Sequence, residues 1–260
     1  MNPLITIVGP TAVGKTDLTL DLAEHLHAEV ISGDAYQVYK QLNIGTAKPS
    51  VDELNRVKHH LIDILDPNDS YSVSIFQDQA KEIIARLKDR NILPILSGGT
   101  GLYVQSLLEN YNFNDVKPDE YLRAELDELY STKGIEGLRD YAFTLGKEHN
   151  IEIQYSDKHR LYRAIEILHH GDVDSLRNQT KDGVSYKGSV IGLMRDRDKL
   201  YERINLRVDM MFDAGLIEEV EQLIKSGVNP DCQAFKGIGY KEVVDYINDN
   251  ICLLYTSDAA

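Results

Sequence analysis

The chain has 260 residues, of which 42% are hydrophobic and 27% are charged, so it can bury one large core or a core with an inserted subdomain. Its formal net charge of −14 argues against a protein that bulk electrostatics holds on nucleic acid, although a local basic groove is compatible with it. Because there is no run of about 18 apolar residues and the two cysteines lack metal-ligand spacing, we expect a cytoplasmic protein without a membrane partner.

Strand and helix patterns alternate along the N-terminal part of the chain. The apolar run LITIVG (residues 4–9) predicts a buried strand, and the segment 15–26 has leucines on one helical face. A second strand ends at Asp34, a helix follows within residues 69–90, and NILPILSGG (91–99) predicts a third strand. This alternation predicts an α/β fold in which helices flank a mostly parallel sheet, with a site at the carboxyl ends of the strands.

The sequence changes in character after about residue 112. Charged helical patterns without a buried strand follow, until VIGLMR (190–195) predicts a strand that returns to the sheet. We therefore predict a discontinuous core domain formed by residues 1–112 and 186–250, with a mainly helical insertion domain at 113–185. Residues 251–260 have no clear helical pattern and predict an irregular tail.

The first motif with chemical content is VGPTAVGKT, which fits G-x-x-x-x-G-K-[ST] between a strand and a helix. In such a loop the glycines let the backbone approach phosphate oxygens, the lysine adds a positive charge and the threonine can hold Mg²⁺. The predicted polyphosphate-binding residues are Gly9, Pro10, Thr11, Ala12, Val13, Gly14, Lys15 and Thr16, with Thr16 as the metal ligand.

The strand ends give little support to a hydrolase. The third strand ends in SGGT (97–100), without the acidic residue that hydrolases of this kind use to hold the metal shell. Asp34 is the acid at a strand end, and it is either a general base for an incoming acceptor or a turn or helix-capping residue. If a helix began here, Gln37 would face the same side as Asp34 and could read a base edge by paired hydrogen bonds, as glutamine does with adenine.

Other charged residues allow two interpretations each. Arg203 and Arg207 are four residues apart, so they share a helical face that either clamps a diphosphate or pairs with nearby acids. Lys48 either faces the same cleft or lies in solvent. The adjacent pair His59–His60 lacks ligand geometry, because neighbouring side chains point apart, and we assign it to packing or to the surface.

Nearly the whole chain carries a series of motifs in a fixed order: GPTAVGKT, SGDAYQVYK, GTAKP, HHLIDILDPNDSYSV, GGTGLY, SDKHRLYRAIEI, LYERINLRVDMM, GLIEEV and GIGYKEV. The series resembles that of the tRNA dimethylallyltransferase (tRNA isopentenyltransferase) family. The resemblance implies a P-loop NTPase-like sheet and transfer of a dimethylallyl group from dimethylallyl diphosphate to N6 of the adenosine 3′-adjacent to the anticodon, in tRNAs that read codons beginning with U. The diphosphate leaves intact in this reaction, so a hydrolytic acid is not needed.

The resemblance also implies roles for individual residues. Asp34 takes the N6 proton, and Thr100 supports the reacting groups. Lys15, Thr16, Arg197 and Arg203 stabilise the leaving diphosphate and its Mg²⁺. The residues expected to contact the anticodon stem-loop and its flipped-out adenine are Asp34, Ala35, Tyr36, Gln37, Thr100, Arg123, His159, Arg160, Leu161, Tyr162 and Arg163.

Two further expectations concern the C-terminal end and the rival functions. Family members continue past GIGYKEV into a basic helical segment with an RQxxW-like pattern that this sequence lacks, so we expect a member shortened at its C-terminus. The zinc-finger extension of some eukaryotic relatives is also absent, which favours a bacterial-type enzyme, and we expect a monomer. The alternatives are an adenylate isopentenyltransferase acting on free nucleotide, a small-molecule kinase using Asp34 as base on a hydroxyl, and a non-catalytic nucleotide-binding switch. The helical insertion and HRLYR favour a polymer substrate over a free nucleotide.

Overall fold

The computed structural model describes residues 2–113, 116, 118–171, 183 and 186–248, and backbone contacts divide the chain into two units. The first unit joins residues 1–110 to residues 183–260, and the second consists of residues 111–182. The predicted tail at 251–260 and Cys252 lie outside the described residues, whereas Cys232 is a buried free thiol. Within the described part of the chain, no helix is both long and apolar enough to cross a membrane.

Parallel strands form the centre of the first unit. They are β1 (Asn2–Pro3), β2 (Ile5–Val8), β3 (Glu29–Ser32), β4 (His59–His60), β5 (Pro94–Gly98), β6 (Tyr186–Lys187) and β7 (Val190–Gly192). β1 pairs with β6, and the others form a five-stranded sheet in the order β4-β3-β5-β2-β7. The predicted parallel sheet is confirmed, and the segment VIGLMR supplies its edge strand β7, which pairs with β2 at Thr6 and Val190.

Helices accompany the strands along the chain. They are α1 (Lys15–Leu26), α2 (Val51–Arg56), α3 (Val73–Asp89), α4 (Gly101–Leu108), α5 (Glu120–Glu148), α6 (Lys158–His169), α7 (Arg197–Asp213), α8 (Leu216–Lys225) and α9 (Tyr240–Ile247). Ile31 and Leu96 belong to one buried apolar cluster, and their chain neighbours Val30 and Ile95 belong to another. Because successive side chains of a strand point to opposite faces, the sheet is buried on both faces, which explains its continuous apolar runs.

The ends of β3 and β5 approach each other too closely for side chains. The Gly33 N–H donates to the Ser97 carbonyl oxygen at 2.8 Å. A Cβ on Gly98 would overlap the carbonyl group of Gly33. Only glycine fits at residue 98, and the close approach brings the segments that follow the two strands side by side, one beginning with Asp34 and the other with Gly99.

The helices of the second unit, in its described residues, are α5 and α6. α5 is interrupted at Gly134, which has φ 64° and ψ −160°, a conformation that favours glycine. α6 begins after Asp157, whose carboxylate accepts a hydrogen bond from the Arg160 N–H at 3.0 Å. The two helices bury a separate apolar cluster that includes Leu126, Leu138, Ala142, Leu161 and Ile165.

Candidate active site

The phosphate-binding loop joins β2 to the N-terminus of α1. Gly14 precedes the helix with φ 104° and ψ 28°, a left-handed conformation that other residues rarely adopt. Among the described atoms, none lies within 4 Å of a Cβ placed there, so the need for glycine is conformational rather than steric. Lys15 and Thr16 are therefore the first residues of α1, where free backbone N–H groups and the positive end of the helix dipole favour an anion.

The Lys15 ammonium group is folded back onto this loop. Its Nζ donates to the carbonyl oxygens of Gly9 at 2.9 Å and Pro10 at 2.8 Å. Burial lowers the pKa of Lys15, the charge of Asp34 partly opposes that shift, and the charge of Arg207 adds to it. Within the described part of the chain no carboxylate forms an ion pair with Lys15, so an anion in the cavity would compensate a half-buried charge that has no ion-pair partner.

Asp34 lies in a turn immediately after β3. Its Oδ1 accepts hydrogen bonds from the N–H groups of Tyr36 at 2.8 Å and Gln37 at 3.2 Å. We expected Gln37 to face the same side as Asp34 if a helix began here. No helix begins at Gln37, and the turn brings the two residues together instead. Asp34 Oδ2 receives no hydrogen bond from any described residue, so one carboxylate oxygen fixes the turn while the other is available to the cavity.

Thr100 joins the turn after β5 to the turn after β3. Its Oγ1 accepts a hydrogen bond from the Ala35 N–H at 3.2 Å. Thr100 is also the residue before α4, although its side chain does not cap that helix. Through its hydrogen bond to Ala35, Thr100 fixes the backbone next to Asp34.

Tyr36 follows in the same turn. Burial is the larger cause that raises its pKa and the charge of Asp34 is the smaller one, so this phenol stays protonated beside the acid.

The Gln37 carboxamide is held in one orientation. Its Oε1 accepts from Ser32 Oγ at 3.0 Å, and the other terminal atom is the nitrogen because it faces two carbonyl oxygens, which only accept. The Nε2 donates weakly to the carbonyl oxygens of Thr46 at 3.3 Å and Ala47 at 3.4 Å. Gln37 thus presents an amide edge of known polarity to the cavity.

These segments surround a single cavity of about 550 Å³ in the first unit. Its lining combines the loop and the start of α1, the strands β3 and β5 with their ends, residues 46–62 and one face of α7. The residues are Thr11, Ala12, Gly14, Lys15, Thr16, Asp17, Thr19, Val30, Ser32, Asp34, Gln37, Thr46, Ala47, Pro49, His59, Ile62, Ser97, Gly98, Gly99, Arg203, Leu206, Arg207 and Met210. A Cβ on Gly99 would lie 3.7 Å from Lys15 Nζ, so the turn after β5 contacts the loop. The loop and α7 thus bring Lys15, Arg203 and Arg207 to the cavity, and two carboxylates line it, Asp17 in the first turn of α1 and Asp34 after β3.

The arginines of α7 differ in position. Arg203 Nε donates to the Ala12 carbonyl oxygen at 2.8 Å, and both Arg203 and Arg207 line the cavity. Burial lowers the pKa of Arg207, against the opposing charge of Asp34. Arg197 instead donates to Tyr201 Oη at 3.2 Å at the exposed start of the helix. The structure thus brings together the pair Arg203 and Arg207, and it does not bring Arg197 to the cavity wall.

Sequence reasoning missed the apolar part of the cavity. Leu206 and Met210 lie on α7 with exposed fractions of 59% and 62%, and Ile62 contributes from another segment. Each of the two α7 residues follows a cavity arginine by three positions, and this spacing was the available signal. His59, assigned above to packing or to the surface, also lines the cavity, and burial lowers its pKa.

The predicted tRNA-contacting residues of the second unit fall into three groups by exposure. Leu161 and Tyr162 are buried, and Tyr162 Oη donates to Asp127 at 2.9 Å, so neither side chain forms a surface that RNA could contact. His159 and Arg160 are exposed. Arg123 and Arg163 are half-exposed and both bond to Glu166, which is fully buried.

The architecture and the loop define the class before any comparison is made. A parallel sheet, a glycine-rich turn between strand and helix, and a lysine and threonine at the helix start are the features of a P-loop NTPase-like fold. Comparison with known proteins then narrows the class, since the model of the IPP transferase family matches residues 37–259. The chain therefore belongs to the IPP transferase family.

Individual relatives cover nearly all of the chain. A tRNA dimethylallyltransferase of Bacillus anthracis is 43% identical over 250 residues, which are 95% of this chain and 79% of that protein. The crystal structure of a tRNA isopentenylpyrophosphate transferase of Bacillus halodurans is similar with a TM-score of 0.71 and 42% identity, over 99% of this chain and 81% of the other. A transferase of Staphylococcus epidermidis gives a TM-score of 0.70 and 38% identity, over 99% and 84%.

Proposed function

We propose that this chain transfers a dimethylallyl group from dimethylallyl diphosphate to N6 of the adenosine 3′-adjacent to the anticodon in tRNAs that read codons beginning with U. Membership of the IPP transferase family supports tRNA prenylation as the class of reaction. One observation carries the proposal furthest. A single cavity contains a diphosphate-binding loop with two further arginines and also a carboxylate beside a glutamine amide.

The chemistry that this arrangement supports is alkyl transfer. The N6 nitrogen attacks C1 of the donor, the C1–O bond breaks, and diphosphate leaves with the electron pair of that bond. Lys15, Arg203 and Arg207 lower the energy of the departing anion, because its negative charge grows as the bond breaks. Asp34 Oδ2 takes the proton from N6, while Oδ1 keeps the turn in place.

The polar groups near the loop fit Mg²⁺. In the described residues there is no cluster of three or more histidine, cysteine or acidic side chains that would hold a metal by itself. Mg²⁺ usually keeps waters and substrate phosphate oxygens as most of its ligands, so a single hydroxyl at the loop is a suitable protein contribution. Thr16 is that residue in our proposal, and the bound ion would neutralise charge on the diphosphate.

The cavity also has a place for the hydrocarbon part of the donor. Leu206, Met210 and Ile62 supply apolar surface beside the cationic groups. Burial of the dimethylallyl group there would remove apolar area from water at about 25 cal/mol per Å². We assign the hydrocarbon to this side and the adenine to the side of Asp34 and Gln37.

We further propose that the helical second unit is an insertion domain that contacts the tRNA anticodon stem-loop. Among the residues of this unit that the sequence predicts to contact tRNA, the exposed and half-exposed basic ones are the candidates for phosphate contacts, namely Arg123, His159, Arg160 and Arg163. The proposal includes a monomeric enzyme that works in the cytoplasm. The alternatives that it displaces are prenylation of free adenine nucleotides and phosphoryl transfer to a small molecule.

A transfer assay with labelled dimethylallyl diphosphate and Mg²⁺ separates these functions. Unmodified tRNA with adenosine beside its anticodon and free AMP are offered in parallel reactions. We expect label in the tRNA alone. Label in AMP would replace the proposal by the free-nucleotide reaction, and the absence of donor binding would refute prenyl transfer.

A further inference from the structure

We infer that Glu219 and Tyr240, on α8 and α9, are positioning residues for acceptor recognition, because they hold the turn at residues 43–48 against which Gln37 is oriented. This inference rests on the proposed function. It assigns a role to the C-terminal helices, which contribute no residue to the cavity lining in the described part of the chain.

Three successive backbone N–H groups of the turn point at this pair. Asn43 and Ile44 donate to the two oxygens of the Glu219 carboxylate at 3.1–3.2 Å. Gly45 donates to Tyr240 Oη at 3.1 Å, and Tyr240 Oη donates to Glu219 Oε1 at 2.5 Å. A carboxylate in a concave set of backbone donors is a strong, charge-assisted arrangement.

Shape adds to the hydrogen bonds. Tyr240 is only 1% exposed, and burial together with the charge of Glu219 raises its pKa, so its hydroxyl stays protonated and donates. A Cβ on Gly45 would lie 2.5 Å from the Tyr240 ring, so the backbone of the turn rests directly on the aromatic ring. α8 and α9 therefore hold residues 43–45 of the turn in place by hydrogen bonds and by packing.

The turn at residues 43–48 orients the side chain of Gln37. The carbonyl oxygens of Thr46 and Ala47 accept from Gln37 Nε2, while Ser32 donates to Gln37 Oε1 from the sheet. A displacement of the turn would remove the acceptors that keep the nitrogen on this side. The amide edge would then lose its fixed donor and acceptor polarity, which is what a glutamine needs to read a base by paired hydrogen bonds.

The turn has a second anchor that does not involve the C-terminal helices. Lys48 Nζ, with its side chain 4% exposed, donates to the Tyr39 carbonyl oxygen at 2.8 Å and Asn43 Oδ1 at 3.0 Å, and pairs with Asp63. We therefore expect a change at Glu219 to shift the turn without unfolding it. This makes the role of Glu219 measurable in an intact protein.

The substitution Glu219→Gln is the sharpest perturbation. It keeps the size of the side chain but replaces one accepting oxygen by an NH₂ group that faces backbone donors. Glu218→Gln is the matched control, because Glu218 is the exposed preceding residue of α8 and loses the same charge. Tyr240→Phe is a second variant that keeps the ring against Gly45 and removes only the hydroxyl.

The experiment measures kcat and the KM values for dimethylallyl diphosphate and for the acceptor RNA, with thermal melting to verify folding. For Glu219→Gln and Tyr240→Phe we expect the acceptor KM to rise about tenfold, since a small misplacement remote from the chemistry costs about that much or more. The donor KM should be unchanged, and Glu218→Gln should behave as wild type. In a Gln37→Ala background, Glu219→Gln should cause no further rise, because its effect passes through Gln37.

Each other result is decisive. Wild-type kinetics for Glu219→Gln, equal rises in both KM values, or an additive effect in the Gln37→Ala background would overturn the inference while leaving the proposed function in place. A wild-type protein that binds donor but transfers nothing to RNA would refute the proposed function, and the inference would fail with it.

Discussion

Asp34 offers the most direct test of the proposed chemistry, because its two oxygens have separable roles. Oδ1 accepts two backbone hydrogen bonds that maintain the turn, whereas Oδ2 is the atom that we assign to the N6 proton. Asp34→Asn keeps an oxygen for the two bonds and removes the basic carboxylate. Asp34→Ala removes both the base and the turn.

The structure sets the expected magnitudes. Asp34→Asn turns two charge-assisted bonds into neutral ones and should cost about 1 kcal/mol of unfolding free energy, and Asp34→Ala should cost about 2–3 kcal/mol. A positioned general base contributes about 10²–10⁴-fold to the rate. Asp34→Asn should therefore raise the barrier of the chemical step by about 3–5 kcal/mol.

Single-turnover transfer at saturating donor and RNA gives the rate of the chemical step, equilibrium dialysis gives the donor Kd, and urea unfolding gives the stability. We expect Asp34→Asn to lose transfer and to keep its donor Kd and its fold. A transfer rate close to wild type in Asp34→Asn would refute Asp34 as the base. A weakened donor Kd with a normal chemical rate would move Asp34 to the diphosphate side of the cavity.

Three further predictions follow from the packing and the charges. Lys15→Ala should weaken donor binding and transfer together. Because burial lowers the pKa of Lys15, the wild-type affinity for the donor should fall with rising pH before the ordinary lysine value of 10.5 is reached. A donor Kd that stays constant up to pH 10.5 would contradict this prediction. Gly98→Ala should cost about 3 kcal/mol of unfolding free energy by overpacking against Gly33, while Gly101→Ala, where a Cβ meets no described atom within 4 Å, should be tolerated in the same urea experiment. Glu166→Gln should destabilise the second unit by about 2–4 kcal/mol. Burial alone would raise the pKa of Glu166, but its hydrogen bonds from arginine and backbone outweigh that effect and lower the pKa below the ordinary 4.5. The difference in unfolding free energy between wild type and Glu166→Gln should therefore be full at neutral pH and vanish as the pH falls below 4.5. A difference independent of pH would exclude the charge of Glu166 as its cause.

The sequence was informative where function depends on local backbone geometry. The phosphate-binding loop is recognisable because Gly14 must adopt a left-handed conformation immediately before Lys15, and both requirements are local in sequence. The strands are recognisable because both faces of the sheet are buried and their residues form apolar runs. These features led to an α/β fold with a parallel sheet and a phosphate-binding loop.

Contacts between distant segments were not readable in the same way. The segment after Asp34 is a turn and not a helix, although Asp34 Oδ1 accepts from the N–H groups of Tyr36 and Gln37 as a helix-capping carboxylate would, so this local pattern does not distinguish the two structures. The choice between Arg197 and Arg207 depends on how α7 is rotated about its axis, which spacing alone does not fix. Glu219 bonds to Asn43, and no periodicity links residues so far apart.

The pairing of β2 has a consequence for how the protein is made. β2 leads into the phosphate-binding loop near the N-terminus, and it pairs on one side with the edge strand β7, which lies far along the chain. In this pairing Thr6 lies opposite Val190. At a synthesis rate of about 5–20 residues per second, roughly 10–40 s pass between the appearance of these two residues. During that interval one edge of β2 has no strand beside it, and an open edge is a template for pairing with other chains. We therefore expect the nascent chain to need protection from aggregation until β7 has emerged from the ribosome.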